Sequence, residues 1–141
     1  MRVTDYVTAI EVVVLAVWIE VALTVMPFSR LLQRVRRLPS DIPPASQAPI
    51  DYQRLIRFVA VAYEILPFPT TCLRQSLVLY ALLERRAVPS RLCLGVALNG
   101  AALDAHAWIE CGGIASDATV ARFSELHAVS RFARTSRLSR V

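Results

Sequence analysis

Glycine and cysteine are both scarce in this sequence. Its 141 residues include four glycines and three cysteines, the cysteines standing at positions 72, 93 and 111. Three is an odd number and no two of them form a Cys-x-x-Cys pair, so the sequence predicts neither a disulfide framework nor a zinc ribbon. We therefore expect no metal and no cofactor, and a reducing, cytoplasmic setting.

The positive charge lacks the pattern of a nucleic-acid-binding protein. All 16 basic residues are arginine, and they exceed the 11 acidic residues to give a net charge of +5. No aromatic residues are interleaved with a basic repeat, so the charge indicates an acidic or peptide partner before nucleic acid. The length and the 55% hydrophobic content are those of one domain with an adequate core. We expect a single active site.

The longest apolar run, residues 6–28, lacks the features of a membrane span or a secretory signal. Glu11 and Glu20 interrupt it, and at about 100° per residue they lie on opposite faces of a helix. The apolar stretch between them is short, and no small-residue cleavage site follows it. We expect a helix that is buried or covered by a partner, capped by Thr4 or Asp5, with membrane association as the disfavoured alternative.

Prolines divide the helical half of the chain. Pro27 is expected to end or kink the first helix, and a basic amphipathic helix then completes an N-terminal segment, residues 1–38. Residues 39–50 are rich in proline and indicate a linker. A core is predicted over residues 51–125, where Asp51 can cap a helix that ends before the prolines at 67 and 69. The next helix is predicted from about Thr70–Cys72 to Arg86.

After Pro89 the apolar residues alternate with a period of two. This pattern predicts three short strands over residues 91–98, 103–111 and 114–120, joined by turns at Asn99-Gly100 and Gly112-Gly113. The first turn sets Cys93 opposite Trp108 and away from Cys111, so those cysteines are predicted to be core or edge residues. The fold class is α+β, with helices before a small antiparallel sheet. The remainder, including His127, is predicted to be weakly helical, with a basic solvated tail over residues 126–141.

The Gly112-Gly113 turn sets the register of the last hairpin. With a turn of two residues, Trp108 faces Asp117 and Glu110 faces Ala115. His106 is then a diagonal neighbour of Asp117 on the same face, at about 7–8 Å between backbones, which His and Asp side chains can span. A turn one residue longer would point Asp117 to the other face.

Cys72 stands where a proline-rich loop meets the start of a predicted helix. A helix N-terminus and a nearby imidazolium both stabilise a thiolate, the nucleophilic form of cysteine. An acid beside the imidazole holds its useful tautomer, and unpaired N–H groups of the first turn can form part of an oxyanion hole. Cys72, His106 and Asp117 are therefore predicted as nucleophile, base and orienting acid for amide hydrolysis through an acyl-enzyme.

Each of these residues also has a purely structural interpretation. A lone cysteine in an apolar chain is more often a small core residue than a nucleophile. His106 can be a core histidine packed beside Trp108, and Asp117 can be a turn or capping acid. Asp104 is the alternative orienting acid, since it stands two residues before His106 on the same face of its strand.

Two stretches of the sequence together resemble a known family. They are "CLRQSLVLYALLERRAVPSRLCLGV", residues 72–96, and "DAHAWIEC", residues 104–111, followed by two glycines and an aspartate. Their helix start, their "RRAVP" helix exit and their "AHAWIE" strand resemble the stand-alone leader peptidases of lasso-peptide biosynthesis. These belong to the transglutaminase-like branch of the papain-type cysteine proteases. The resemblance covers about residues 58–120, and Ala87 stands where the family usually has glycine.

The resemblance implies a cysteine protease that removes the leader from a ribosomally made precursor peptide. Cys72, His106 and Asp117 match the triad of that family. Two protein partners are implied: a separate leader-recognition protein and a macrolactam synthetase that acts on the freed core. We expect leader recognition to need a separate protein, because a chain of this length leaves no room for a leader-binding domain. The alternatives are an acyltransferase or transglutaminase-type enzyme of the same fold, and a non-catalytic peptide-binding module.

Overall fold

Helices come first and strands second along the chain, in a computed structural model that describes residues 3–37, 51–112, 114–116 and 124–129. The helices within these ranges are α1 (Val3–Val25), α2 (Phe28–Arg36), α3 (Tyr52–Ile65) and α4 (Cys72–Arg85). The strands are β1 (Arg91–Asn99), β2 (Ala102–Cys111), β3 (Ile114–Ala115) and β4 (Ser124–Val129). The predicted α+β class is confirmed. The predicted linker, residues 39–50, lies outside the described ranges.

The four strands form one antiparallel sheet in the order β3-β2-β1-β4. Cys93 lies opposite Trp108, as predicted from the first turn. In the second hairpin Glu110 lies opposite Ala115 and the next pair encloses a turn of two residues, so the predicted register is confirmed as far as the structure describes it. Gly112 begins this turn at φ 60°, a backbone conformation that favours glycine.

The fourth strand corrects the prediction for the C-terminal part of the chain. Ser124–Val129 pairs antiparallel with β1, and His127 lies opposite Leu94 just before a shift in register. The prediction of a weak helix is therefore wrong for these residues, because pairing with the otherwise open edge of β1 outweighs local propensity. Residues 130–141 of the predicted tail lie outside the described ranges, and the predicted segment boundaries stay predictions.

Prolines and side-chain caps set the ends of the helices. Pro27 follows the end of α1 and is itself the N-cap residue of α2, at φ −62°. The carboxylate of Asp51 accepts a hydrogen bond of 3.1 Å from the backbone N–H of Arg54, so the predicted cap of α3 is confirmed. The hydroxyl of Thr71 accepts one of 3.3 Å from the N–H of Arg74 at the start of α4.

The start of α1 differs from the prediction. The helix already includes Val3, so neither Thr4 nor Asp5 is its cap. Asp5 instead lies in the first turn, where it is buried and forms an ion pair with Arg54 of α3. A carboxylate near a helix N-terminus is favoured by the helix dipole as well as by its ion pair.

The central element is α4. Every residue from Ser76 to Glu84 is buried, because α4 contacts α1, α2 and α3 as well as β1 and β2. A helix covered on all sides is apolar nearly all round, as this one is. The core therefore lies around α4, and the first turn of α4 stands at its margin.

The helix α1 is held against the rest of the protein by ion pairs at both borders of its buried face. Glu11 contacts Arg85 at 3.1 Å and Arg86 at 2.9 Å, while Glu20 pairs with Arg74. Between these borders lie the buried residues Val12, Leu15, Ala16, Ile19 and Ala22. The opposite face of α1 is exposed, so the expectation of a covered helix is met on one side. By length and composition alone α1 is also able to cross a membrane, a test that core helices and signal sequences pass too.

Candidate active site

Cys72 is the first residue of α4 and a partly exposed, free thiol. The preceding Thr71 has extended backbone angles, φ −117° and ψ 151°, which place the chain outside the helix until Cys72. The first N–H groups of a helix have no partner within it and carry the positive end of its dipole. The thiol of Cys72 therefore stands beside donors that can stabilise a thiolate or an oxyanion.

His106 lies in the middle of β2. Its ring stacks on Trp108, two residues along the same face of the strand, with ring centroids 6.1 Å apart and planes at 22°. Across the sheet it pairs with Gly95 of β1. Paired residues share one face of a sheet, and glycine has no side chain, so Gly95 itself adds no side chain beside the His106 ring.

A buried hydrogen bond joins the helix of Cys72 to the strand of His106. The hydroxyl of Ser76 donates to the backbone carbonyl of Ala107 at 3.1 Å. Ser76 lies one turn after Cys72, and Ala107 follows His106 directly. This bond therefore fixes how the first turn of α4 sits relative to β2.

Cys72 and His106 line one cavity of about 260 Å³. Ile56, Val59 and Leu79 give it an apolar wall, while Gln75, Ser76 and Ser116 contribute polar groups. A concave apolar site with a few polar groups is typical of substrate-binding pockets. The structure thus brings together, at one concave site, two of the three residues predicted from the sequence.

A comparison with protein families gives a match. A sequence profile described as the transglutaminase-like superfamily matches residues 13–131. The chain belongs to the transglutaminase-like superfamily. Domains of this superfamily are usually cysteine proteases or acyltransferases. Searches of curated proteins and of solved structures give no match to the chain.

The third predicted residue of the transglutaminase-like domain, Asp117, lies outside the described residues. The register is described as far as Ser116, whose N–H donates to the carbonyl of Ile109 at 2.8 Å. Asp104, the alternative acid, lies on β2 opposite Ala97 and is partly exposed. It is not among the described residues that line the cavity.

Ser116 has no role in the sequence analysis, yet it holds the strand that leads toward Asp117. Its hydroxyl accepts a hydrogen bond of 3.0 Å from the N–H of Ile109, while the phenol of Tyr52 donates to the Ile109 carbonyl at 3.1 Å. Burial raises the pKa of the Tyr52 phenol, which keeps it a donor. A serine next to an acid is too common a pair for the sequence alone to have identified this position.

The other two cysteines of the transglutaminase-like domain lie in the sheet. Cys93 is fully buried on β1, and Cys111 at the end of β2 packs against the core. Burial raises the pKa of the Cys111 thiol, so less of it is thiolate at neutral pH. Both positions agree with the prediction of core or edge residues.

Proposed function

We propose that this transglutaminase-like domain is a cysteine peptidase in which Cys72 is the nucleophile, His106 the general base and Asp117 the acid that orients His106. One observation carries the proposal: the first residue of α4 and the histidine of β2 line the same cavity. Superfamily membership supports the chemistry, since these domains are usually proteases or acyltransferases.

The proposed reaction forms and then hydrolyses a thioester. His106 takes the proton of Cys72, and the thiolate attacks the carbonyl carbon of the peptide bond. N–H groups of the first turn of α4 stabilise the resulting oxyanion. His106 then returns the proton to the leaving amine, which frees the C-terminal product. Water attacks the thioester with His106 again as base, and release of the acid restores the thiol.

The proposed substrate is a ribosomally made lasso-peptide precursor, cleaved in the cytoplasm between leader and core. The resemblance of residues 58–120 to stand-alone leader peptidases supports this substrate. The apolar wall of Ile56, Val59 and Leu79 is suited to an uncharged side chain next to the cleaved bond. A separate recognition protein would present the leader, and a macrolactam synthetase would use the freed core.

The test combines the purified protein, the precursor and the recognition protein, and follows peptide masses over time. We expect the masses of leader and core with the wild type and no cleavage above background with Cys72→Ala. Cys111→Ala is the matched control, because that cysteine lies in the sheet, and it should retain cleavage. Normal cleavage by Cys72→Ala would overturn the proposal.

The same assay distinguishes the other candidates. A primary amine added in excess should leave the products unchanged for a peptidase, whereas an acyltransferase would incorporate the amine into the N-terminal product. Saturable peptide binding without any turnover would indicate a binding module. Asp117→Asn should slow cleavage far more than Asp104→Asn, and the reverse order would assign the orienting role to Asp104.

A further inference from the structure

A row of large apolar side chains on α1 faces away from the core. We call Val3, Val7, Ile10, Val14, Val17 and Val21 the α1 stripe. Their exposed fractions run from 42% at Val17 to 79% at Val3. The spacing of three or four residues places them along one side of the helix over roughly 27 Å. No described residue covers this side, so α1 is apolar on both its buried and its exposed face.

Charge is absent from the α1 stripe because the acids of α1 turn inward. Asp5, Glu11 and Glu20 each form an ion pair with an arginine of α3 or of the α4 region. Two hydroxyls beside the stripe are also satisfied within the helix: Thr8 donates to its own helix backbone at 2.9 Å, and Thr24 does so at 2.9 Å and 2.8 Å. In an apolar medium there is no water to bond to polar groups, so hydroxyls must form their hydrogen bonds within the protein, as these two do.

Exposed positive charge follows the α1 stripe directly. Arg30, Arg34 and Arg37 are exposed on or at the end of α2 and form no ion pair within the part of the chain that the structure describes. Residues 28–36 contain no acid. The whole of α2 extends about 14 Å, so these arginines lie within about two Debye lengths of the end of α1.

We propose that the α1 stripe and the α2 arginines together dock the protein on an anionic lipid surface, with α1 lying in the plane of the interface. The stripe supplies buried apolar area, and the arginines supply attraction to the headgroups. A full transmembrane position is ruled out by the fold, since it would separate Asp5, Glu11 and Glu20 from their arginines.

Charge complementarity favours lipid over a second copy of the chain. Two stripes can pack together, but Arg30, Arg34 and Arg37 would find no acidic counterpart on α1 or α2 of the second copy, because α2 has none and the acids of α1 are already paired. An anionic surface satisfies both the apolar stripe and the arginines at once. The proposal concerns a face other than the cavity and does not depend on the peptidase activity.

The experiment is flotation of the full chain with vesicles of phosphatidylcholine alone or with added phosphatidylglycerol, at low and high salt. We expect the wild type to float with the anionic vesicles and to be released by salt. Val14→Glu with Val17→Glu should abolish flotation. Arg30→Gln with Arg34→Gln should weaken it by about fivefold for each arginine, without changing the stripe. Val61→Glu is the matched control, because Val61 is 51% exposed on α3, and it should float like the wild type.

Three results would overturn the proposal. One is a wild type that stays with the soluble fraction for both vesicle types. Another is equal flotation with neutral and anionic vesicles that the arginine substitutions leave unchanged. The third is a dimer, measured by light scattering, that Val14→Glu with Val17→Glu converts to monomer while vesicles bind neither form. Because the arginine variant alters exposed side chains only, it keeps the test valid even where the stripe variant does not fold.

Discussion

At the scale of single residues, the placement of the proposed nucleophile relative to the proposed base depends on Ser76. Its hydroxyl is the donor that connects α4 to the carbonyl of Ala107, and both residues are buried. Ser76 is a positioning residue, since it acts through the placement of Cys72 and His106. Losing the bond leaves a buried carbonyl short of one donor, and a small shift of α4 against β2 misaligns the reacting atoms.

Ser76→Ala should therefore lower kcat for peptide cleavage by about tenfold or more with KM nearly unchanged. Alkylation of Cys72 by iodoacetamide, followed by peptide mapping, should slow in parallel. Ser90→Ala is the matched control, because Ser90 is buried too but its hydroxyl has no hydrogen-bond partner among the described residues. Equal losses of kcat in the two variants would contradict a positioning role for Ser76.

The residue scale also shows what could be predicted and why. The pairing of Glu110 with Ala115 follows from a two-residue glycine turn, and the start of α4 follows from prolines and a Thr cap, so the placement of Cys72 and His106 had local signals. Ser76 and Ser116 had none. Their roles depend on carbonyl and N–H groups of β2, which are reached only when helix and hairpin pack together.

At the scale of elements, the exit from α4 is a strained turn. Ala87 has φ 54°, a left-handed conformation that costs a residue with a Cβ roughly 1–2 kcal/mol. The N–H of Val88 bonds to the carbonyl of Leu83 at 2.9 Å and that of Ala87 to Glu84 at 3.1 Å, the pattern of a Schellman cap.

Ala87→Gly should raise the free energy of unfolding by about 1 kcal/mol, because glycine adopts this conformation without strain. Urea denaturation monitored by circular dichroism measures the change. Ala60→Gly in α3 is the matched control: the same substitution in an ordinary helical position should lower stability by about 1 kcal/mol. A loss of stability in Ala87→Gly would show that the turn does not hold residue 87 in this conformation.

The fourth strand marks the limit of prediction for elements. The strands β1 and β2 are joined by a short turn, and so are β2 and β3, so each partner lies within a few residues and leaves a turn signal in the sequence. The partner of β4 is β1, which lies far earlier in the chain. Its residues have a mixed local preference, and only the open edge of β1 makes them a strand.

At the scale of the whole molecule, α1, α3 and α4 meet around the phenol of Tyr63. Tyr63 is 1% exposed, and its hydroxyl has no hydrogen-bond partner within the described residues. Burial, with a smaller contribution from the negative charge of Glu20, raises its pKa from 10.0 to about 12, partly offset by Arg74. Unfolding frees this tyrosine to ionise at its ordinary pKa, so stability depends on pH in the alkaline range.

The sign of this dependence follows from the raised pKa. Below pH 10 the phenol is neutral in both states, and the stability that it contributes is fully present. As the pH rises from about 10 toward 12, the unfolded chain releases the proton while the folded protein retains it, so the folded state loses stability.

Tyr63→Phe should leave stability at pH 7 unchanged or raise it by up to about 1 kcal/mol, because it removes a buried hydroxyl that lacks a partner. It should also flatten the loss of stability between pH 10 and pH 12 relative to the wild type, because this range lies between the ordinary and the raised pKa of Tyr63. Urea denaturation at a series of pH values gives both quantities. Tyr6→Phe, an exposed position on α1, is the control and should keep the wild-type slope. If Tyr63→Phe kept the wild-type dependence of stability on pH, the loss of stability at alkaline pH would come from other groups. The junction of α1, α3 and α4 would then not depend on a neutral Tyr63.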